Sequence, residues 1–308
     1  MTHRDPQALR SEVVGLFPGQ GSIASAAGAP WRTSPHWSIV ERISAVTAVD
    51  VERLLLDADE NEVIRTDHAQ LATFALSLVA FAALGERGIR PEYHLGHSLG
   101  EFTALTAAGV LSVDDGARLI AARGAAMERA AREWTGSMVA LMGGDDDARA
   151  ALADLPDLWI ANINGTGQIV VSGTRPALDA LLERHRELGW RRATPLPVGG
   201  AFHSPLMAGA QEALDEALRA VTWHDTDVIV IANVDARIHR GSEWSDLLSR
   251  QLTEPIDFLG ATLALPAAVT TSVELAPGAV LTGLSKRIRD FSTQMTITNP
   301  TSLEGLTL

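Results

Sequence analysis

A five-residue motif, Gly96-His97-Ser98-Leu99-Gly100, constrains the fold of this chain more than any other feature of its sequence. It lies between a short strand-like segment, 93–95, and a segment with helical periodicity, 101–108. Glycines on both sides of a serine permit a tight turn that exposes the serine hydroxyl and points the next residue's N–H toward the same place. The motif therefore predicts a strand, a sharp turn and a helix in succession. It favours Ser98 as a nucleophile over a turn serine without a chemical role.

The rest of the chain alternates between strand-like and helix-like segments, which is typical of a parallel α/β sheet. Residues 13–17 predict a buried strand, residues 71–84 an apolar helix, and residues 228–232 a later core strand. Ser112, followed by Asp115 three residues later, predicts the start of another helix, because a serine N-cap bonds to that turn. We expect residues 293–308 to form a loosely ordered tail.

The segment 132–198 has a different order of elements from its surroundings. Its pattern is β-α-β-β-α-β, which is the ferredoxin-like arrangement. The sequence therefore predicts an α/β fold in which a large domain with a parallel sheet, residues 1–131 and 199–308, carries a small ferredoxin-like inserted domain, residues 132–198. The six elements of the insertion are predicted at 136–143, 145–155, 158–164, 168–172, 176–188 and 191–196.

Composition excludes several classes of protein. The chain has 308 residues, of which 46% are hydrophobic and 20% charged, as in an ordinary globular enzyme. It contains no cysteine, so a disulfide, a cysteine-bound zinc ion and a thiol nucleophile are excluded. A formal net charge of −13 argues against general nucleic-acid binding. Because residues 1–10 are polar and no uninterrupted apolar stretch could span a bilayer, we expect a cytoplasmic protein without a membrane partner.

Two residues far from Ser98 in the sequence are candidate partners for it. A serine hydroxyl needs a base within hydrogen-bond reach, and His203 is the best placed of nine histidines, in a predicted loop between a strand and a helix. Arg123 lies on the apolar face of the helix predicted from Val113, where an arginine requires a partner. That partner is either an internal carboxylate or a substrate carboxylate, which a guanidinium binds with two parallel hydrogen bonds.

A competing motif overlaps Gln20. Residues 19–24 fit the G-x-G-x-x-A pattern of a dinucleotide site, with Glu41 about twenty residues further on. Prolines and a tryptophan within positions 30–35 interrupt the helix that would hold a pyrophosphate. Because the dinucleotide hypothesis also leaves Ser98 without a role, we discount it.

A family resemblance rests on three motifs in a fixed order. They are Phe17-Pro18-Gly19-Gln20-Gly21-Ser22, Gly96-His97-Ser98-Leu99-Gly100-Glu101 and Ala201-Phe202-His203-Ser204-Pro205-Leu206-Met207. Over about residues 13–289 the chain resembles the malonyl-CoA:acyl-carrier-protein transacylase family. The resemblance implies an α/β-hydrolase-like large domain. It also implies ping-pong transfer of a malonyl group from malonyl-CoA to the phosphopantetheine thiol of an acyl carrier protein, through an acyl-serine and without a metal or other cofactor.

The resemblance further implies a role for each matching residue. Ser98 is the nucleophile and His203 the base, which the backbone carbonyl of Gln251 orients. The backbone N–H groups of Gln20 and Leu99 form the oxyanion hole. On the acyl side, Arg123 binds the malonyl carboxylate, the Phe202 ring crowds the substrate α-carbon, and Gln70, Asn162 and Val280 match positions near the pocket.

Three alternatives share these residues. They are a polyketide-synthesis transferase for another acyl unit (a substituted malonyl group or a carrier-protein-bound acyl chain), a proofreading acyl hydrolase, and a carrier-protein docking module without enzymatic activity. Ile23 and Leu71 stand where the family has glutamine and proline, and would reshape the pocket. We expect a monomer that receives its acidic carrier-protein partner on a local basic patch. The candidates for this patch, which equally fit a solvated face, are Lys286, Arg287, Arg289, Arg191 and Arg192.

Overall fold

The computed structural model describes residues 12–306, so the polar segment 1–10 lies outside the described residues. The larger sheet has five strands, all paired in parallel. Their order is β10 (Thr293–Ile297), β9 (Thr271–Leu275), β1 (Val13–Phe17), β2 (Tyr93–Gly96) and β7 (Ile229–Val230). The prediction of an α/β fold with a parallel sheet is therefore confirmed.

Helices connect the strands and cover the sheet. Within residues 12–306 they are α1 (Ser38–Thr47), α2 (Val51–Leu56), α3 (Glu60–Val63), α4 (Thr66–Glu86), α5 (Leu99–Ala108), α6 (Val113–Glu133), α7 (Asp146–Ala150), α8 (Arg175–Arg184), α9 (Ala208–Leu218), α10 (Glu243–Arg250), α11 (Phe258–Leu263) and α12 (Val280–Ile288). The predicted start of α6 is confirmed, because the Ser112 hydroxyl accepts a hydrogen bond from the Asp115 N–H at 3.0 Å.

Helix α4 is apolar around its whole circumference, which is typical of a helix buried on most of its surface. It packs against α6, α5 and strand β9 of the main sheet. Within the described part of the chain it is the one helix long and apolar enough to cross a membrane, although we expected no such stretch from the sequence. Since 78% of its most apolar window is buried inside the fold, its hydrophobicity is accounted for by the core.

A second sheet contains the strands of the predicted insertion. Its order is β6 (Arg192–Pro195), β3 (Gly136–Met142), β5 (Gln168–Thr174), β4 (Leu158–Gly165) and β8 (Ile256–Asp257). The first four strands pair antiparallel, whereas β8 pairs with β4 in parallel. Strand β8 lies outside 132–198, so the chain returns to complete this sheet. The two helices predicted at 145–155 and 176–188 are shorter, as α7 and α8.

Two predictions about the later part of the chain are wrong. Within the described residues, the segment 293–306 is no loose tail, because β10 extends the main sheet by pairing with all five residues of β9. The Trp31 indole then donates to the Thr298 carbonyl at 3.1 Å, and Leu303 is buried. The strand expected over 228–232 is only two residues long, since the chain turns away after β7 at the sheet edge.

The order of the main sheet determines where a site can form. Because parallel strands point the same way, the segments that follow β1, β2 and β7 meet at one edge. Gln20 follows β1, Ser98 follows β2, and Asn233 follows β7. The predicted nucleophile therefore lies at the carboxyl edge of the sheet, between loops from neighbouring strands.

Candidate active site

The turn between β2 and α5 holds Ser98 in a strained conformation. Its φ of 55° and ψ of −111° lie in a region of backbone conformation that residues other than glycine rarely adopt. Holding a residue in such a conformation costs about 1–3 kcal/mol. The glycines on either side are required by close packing. A Cβ at Gly96 would lie 2.1 Å from the Glu101 backbone nitrogen, and one at Gly100 would lie 1.9 Å from the Phe17 carbonyl oxygen. The sequence motif is thus explained by its fold.

His203 lies beside Ser98, across 105 residues of sequence. The Ser98 Oγ and the His203 Nε2 are 2.9 Å apart. The other ring nitrogen, Nδ1, lies 2.6 Å from the Gln251 carbonyl oxygen, which can only accept a hydrogen bond. Nδ1 therefore carries the proton, and Nε2 accepts from the serine hydroxyl. His203 also has a positive φ, of 57°, so both members of the pair are held in strained backbone.

The His203 ring is neutral in this environment. Burial disfavours the imidazolium and, with the nearby Arg123 cation, lowers the pKa of His203 to about 3. Only the neutral ring can accept the serine proton. The electrostatics of the site therefore keep the ring in the form that can accept a proton.

Arg123 extends from α6 to the same serine. Its side chain is fully buried, and its terminal Nη2 donates to the Ser98 Oγ at 3.0 Å. The same Nη2 donates to the Gln251 Oε1 at 2.9 Å, and Nη1 donates to the Gln70 Oε1 at 2.6 Å. The guanidinium also lies over the Phe102 ring, 5.2 Å from its centre. Each of the three hydrogen-bond acceptors is neutral, so none of them cancels the charge of the arginine.

A buried polar network supports the turn from behind. Asn233 accepts a hydrogen bond from the Ser98 N–H at 2.8 Å and donates one to the Gly96 carbonyl at 2.8 Å. The Glu101 carboxylate accepts from the Asn233 N–H at 2.7 Å and from the Gln251 side-chain amide. Burial raises the pKa of Glu101 to about 7. Burial likewise lowers the pKa of Arg123 to about 9.

A cavity of about 480 Å³ gives access to the serine. Its wall includes five predicted site residues, namely Gln20, Ser98, Asn162, Phe202 and His203. The rest of the wall is mostly apolar and includes Ile23, Ile64, Met127, Met138, Leu196 and Val198. A cavity of this size and composition suits an organic ligand with an apolar arm.

The other predicted residues lie in three different situations. Gln70, Arg123 and Gln251 are fully buried behind the cavity, and Arg123 donates a hydrogen bond to each of the two glutamines. Leu99 is buried at the start of α5, and neither its N–H nor that of Gln20 donates a hydrogen bond within residues 12–306. Val280 is the exception: it is 54% exposed and is not part of the cavity wall.

The dinucleotide alternative has no helix to support it, because residues 20–22 form one short 3-10 turn. Among residues 12–306, no group of three or more histidine and acidic side chains is arranged so that it could hold a metal ion. Sequence reasoning missed Asn233 and the role of Glu101. An asparagine directly after a buried strand and a carboxylate on an otherwise apolar helix were the available signals. It also missed the His97–Asn164 contact, of 2.9 Å, beside the cavity.

A serine hydroxyl hydrogen-bonded to a neutral, carbonyl-oriented histidine is the arrangement of enzymes that form acyl-serine intermediates. The acyl transferase domain family matches residues 16–296. A malonyl CoA-acyl carrier protein transacylase of Bacillus subtilis (strain 168) is 34% identical over 303 residues, covering 96% of each chain. This chain therefore belongs to the acyl transferase family and is an acyltransferase.

Solved structures agree with this assignment. A malonyl-CoA:acyl carrier protein transacylase from Xanthomonas oryzae pv. oryzae is 35% identical, with a TM-score of 0.88 over 96% of this chain and 97% of that one. A type II PKS acyl-carrier protein in complex with its malonyl-transacylase gives a TM-score of 0.88 at 31% identity, over 95% of this chain and 97% of that one. The likeness extends over nearly the whole fold of each.

Proposed function

We propose that the protein transfers a malonyl group from malonyl-CoA to the phosphopantetheine thiol of an acyl carrier protein. The observation that carries the proposal is the position of Arg123, a buried cation whose Nη2 lies 3.0 Å from the Ser98 Oγ. An acyl group bound to Ser98 would extend within reach of this guanidinium, which pairs well with a free carboxylate. The names of the relatives in Bacillus subtilis and Xanthomonas oryzae support the same substrate.

In the first half-reaction, Ser98 passes its hydroxyl proton to His203 Nε2 while Oγ attacks the thioester carbonyl carbon. The carbonyl oxygen becomes an oxyanion, and the N–H groups of Gln20 and Leu99 stabilise it. This role is supported by both N–H groups lacking another acceptor within residues 12–306. Collapse of the intermediate breaks the carbon–sulfur bond, and the coenzyme A thiolate takes the proton from His203.

The second half-reaction is the reverse with a different thiol. The phosphopantetheine thiol gives its proton to His203 Nε2 and attacks the malonyl-Ser98 ester. The new thioester leaves, and the proton returns to Oγ. Throughout both halves, Arg123 holds the malonyl carboxylate, while Gln70 and Gln251 hold the guanidinium. The Phe202 and Asn162 side chains line the cavity that would hold the acyl group. No metal or other cofactor takes part.

The organisation of the chain belongs to the same proposal. We assign an α/β-hydrolase-like large domain to residues 1–131 and 199–308 and a ferredoxin-like small domain to residues 132–198. The β6-β3-β5-β4 order supports the ferredoxin-like assignment, because the first and third strands of the βαββαβ unit lie side by side in the middle. Helix α6 ends at Glu133, two residues into the proposed small domain.

For partners, we propose an acyl carrier protein that binds a monomeric, cytoplasmic enzyme. The structure of a type II PKS carrier protein bound to its malonyl-transacylase supports this class of partner. Lys286 and Arg287 on α12 are exposed, as are Arg191 and Arg192 on the small sheet. Arg289 is less available, since it donates to the backbone carbonyls of residues 265 and 269 at 2.6 and 2.9 Å.

The test is intact-protein mass spectrometry after incubation with malonyl-CoA, methylmalonyl-CoA or acetyl-CoA. We expect a malonyl adduct that is absent from Ser98→Ala and retained by Ser285→Ala, a control serine buried in α12. Adding a phosphopantetheinylated carrier protein should move the adduct to its thiol. Free coenzyme A without any adduct would indicate hydrolysis instead.

A second candidate is transfer of a larger acyl unit, such as a substituted malonyl group. The apolar cavity wall, including Ile23 where the resembling family has glutamine, favours it. A methylmalonyl adduct that forms as fast as the malonyl adduct would support this candidate over malonyl selection.

A further inference from the structure

We propose that Glu101 is a positioning residue that acts through the Gln251 side chain to hold the Arg123 cation against Ser98, and that it thereby controls selection of acyl donors with a free carboxylate. The inference rests on the proposed function in one respect, namely that Arg123 binds the acyl carboxylate. Glu101 itself is a new assignment: unlike Arg123 it makes no contact with the Ser98 hydroxyl, and its two oxygens are occupied by Asn233 and Gln251.

The first argument is burial. Glu101 lies in the first turn of α5, three residues after Ser98, and its exposure is 0%. A carboxylate in this position is costly unless it is hydrogen-bonded and matched by a positive charge. Its two oxygens accept from the Asn233 N–H, at 2.7 Å, and from the Gln251 Nε2. Both donors are neutral, so hydrogen bonding alone leaves the negative charge uncompensated.

The second argument is charge balance around Arg123. Its hydrogen-bond partners are Gln70, Ser98 and Gln251, which are all neutral. Glu101 is the carboxylate whose charge favours the cationic form of Arg123 and raises its pKa, against the lowering by burial. The two ions are therefore counter-ions that do not touch. The Gln251 amide lies between them and contacts both.

The third argument is the direction of that amide. A glutamine side chain has a donating NH2 end and an accepting oxygen end. The Glu101 carboxylate and the Ser98 backbone carbonyl, the latter at 3.1 Å, both only accept, so they draw the NH2 end of Gln251 toward themselves. The Oε1 end must then face Arg123, as observed at 2.9 Å. If the amide turned over, its NH2 would face the guanidinium, and the cation would lose an acceptor while gaining a like-polarity neighbour.

Replacing Glu101 by glutamine removes the charged one of these two acceptors without removing volume, so the orientation of the Gln251 amide is held by the Ser98 carbonyl alone. One of the two oxygens becomes an NH2 group, yet both partners of Glu101 donate. The new NH2 group must therefore face one of these two donors. Rotating the Gln251 amide would relieve that conflict, but Arg123 would then lose the Gln251 oxygen as an acceptor. We expect Arg123 to be less well held and less able to bind a carboxylate, whereas a donor without a carboxylate loses less.

The experiment compares Glu101→Gln with a matched control, Glu274→Gln. Glu274 is also fully buried and also accepts from backbone N–H groups, of Leu281 at 3.0 Å and Thr282 at 2.6 Å, but it lies outside the cavity wall. Rates of acyl-enzyme formation from malonyl-CoA and acetyl-CoA are measured by quenched intact-mass analysis over a range of donor concentrations. We expect Glu101→Gln to lower the malonyl-to-acetyl ratio of kcat/KM about tenfold, mainly through the malonyl KM. We expect Glu274→Gln to leave the ratio unchanged.

A second variant covers the case in which Glu101→Gln does not fold. Gln251→Met removes the bridging amide and retains the backbone carbonyl that bonds to His203. It should lower the same ratio, by a similar factor. The inference is overturned if both donors slow by one common factor in the folded variants, which is the behaviour of a purely structural role. It is also overturned if Gln251→Met keeps the wild-type ratio. A wild-type ratio near one would instead refute the proposed function, before any variant is made.

Discussion

The rate of acylation by acetyl-CoA, a donor without a carboxylate, should stay nearly constant when the pH is lowered from 7.5 to 5. This follows from the low pKa of His203, about 3, which burial causes first and the Arg123 cation second. The base works only when neutral, and protonation on the acid side is what would stop it. With the lowered pKa, about 99% of the rings are neutral at pH 5, whereas an ordinary histidine of pKa about 6.5 would be about 3% neutral. The two cases differ about thirtyfold in rate.

The assay is single-turnover acylation with acetyl-CoA, quenched in acid and read by intact mass between pH 4.5 and 8. Acetyl-CoA is the right donor because it has no carboxylate, so its rate does not report how Arg123 binds one. Circular dichroism at each pH provides the control that the protein is folded. A rate that falls tenfold per pH unit below about 6.5 would refute the reasoning.

The same assay, extended down to about pH 2.5 as far as circular dichroism shows a folded protein, separates the two causes of the low pKa. Arg123→Met removes the cation but leaves the His203 ring buried. Because burial is the larger cause, the acid limb should move to higher pH and still lie below that of an exposed histidine. An unmoved limb would mean that the Arg123 charge does not act on His203.

Three further outcomes follow from the contacts around the serine. Asn233→Ala removes the acceptor for the Ser98 N–H and should lower the free energy of unfolding by about 1–3 kcal/mol in a urea titration, with slower acylation. Gly100→Ala should give no soluble folded protein on size-exclusion chromatography, because its Cβ would lie 1.9 Å from the Phe17 carbonyl oxygen. Phe202→Ser should enlarge the cavity and raise the methylmalonyl-to-malonyl adduct ratio about tenfold by mass; an unchanged ratio would show that the Phe202 ring does not crowd the acyl group.

The sequence was sufficient for features that depend on neighbouring residues. The turn around Ser98 could be predicted from a five-residue motif, because local packing requires its two glycines. The apolar stripe that buries Arg123 is visible in the helical periodicity of α6. The β-α-β-β-α-β order of the small sheet is visible in alternating patterns within 132–198.

Features that depend on distant contacts were not visible. Asn233 accepts a hydrogen bond from the Ser98 N–H, although the two residues are 135 positions apart in the sequence. No local sequence pattern relates them. Strand β10 has three half-buried residues, and its place in the sheet comes from pairing with β9. Val280 was assigned to the pocket by resemblance alone, and it is exposed at the start of α12. Tertiary pairing, which residue patterns do not encode, decides these cases.

The site combines three ionisable groups whose protonation depends on one another. Burial first and the Arg123 charge second keep His203 neutral, so the residue proposed to bind the carboxylate also acts on the pKa of the base. Glu101 keeps Arg123 charged, but lies on the far side of the Gln251 amide. If the carboxylate touched Arg123 directly, it would occupy the position that a malonyl carboxylate needs. A neutral amide between the ions lets the fold stabilise the cation while leaving it free to bind an acyl carboxylate, and this is why the separation of Glu101 from Arg123 matters for the reaction.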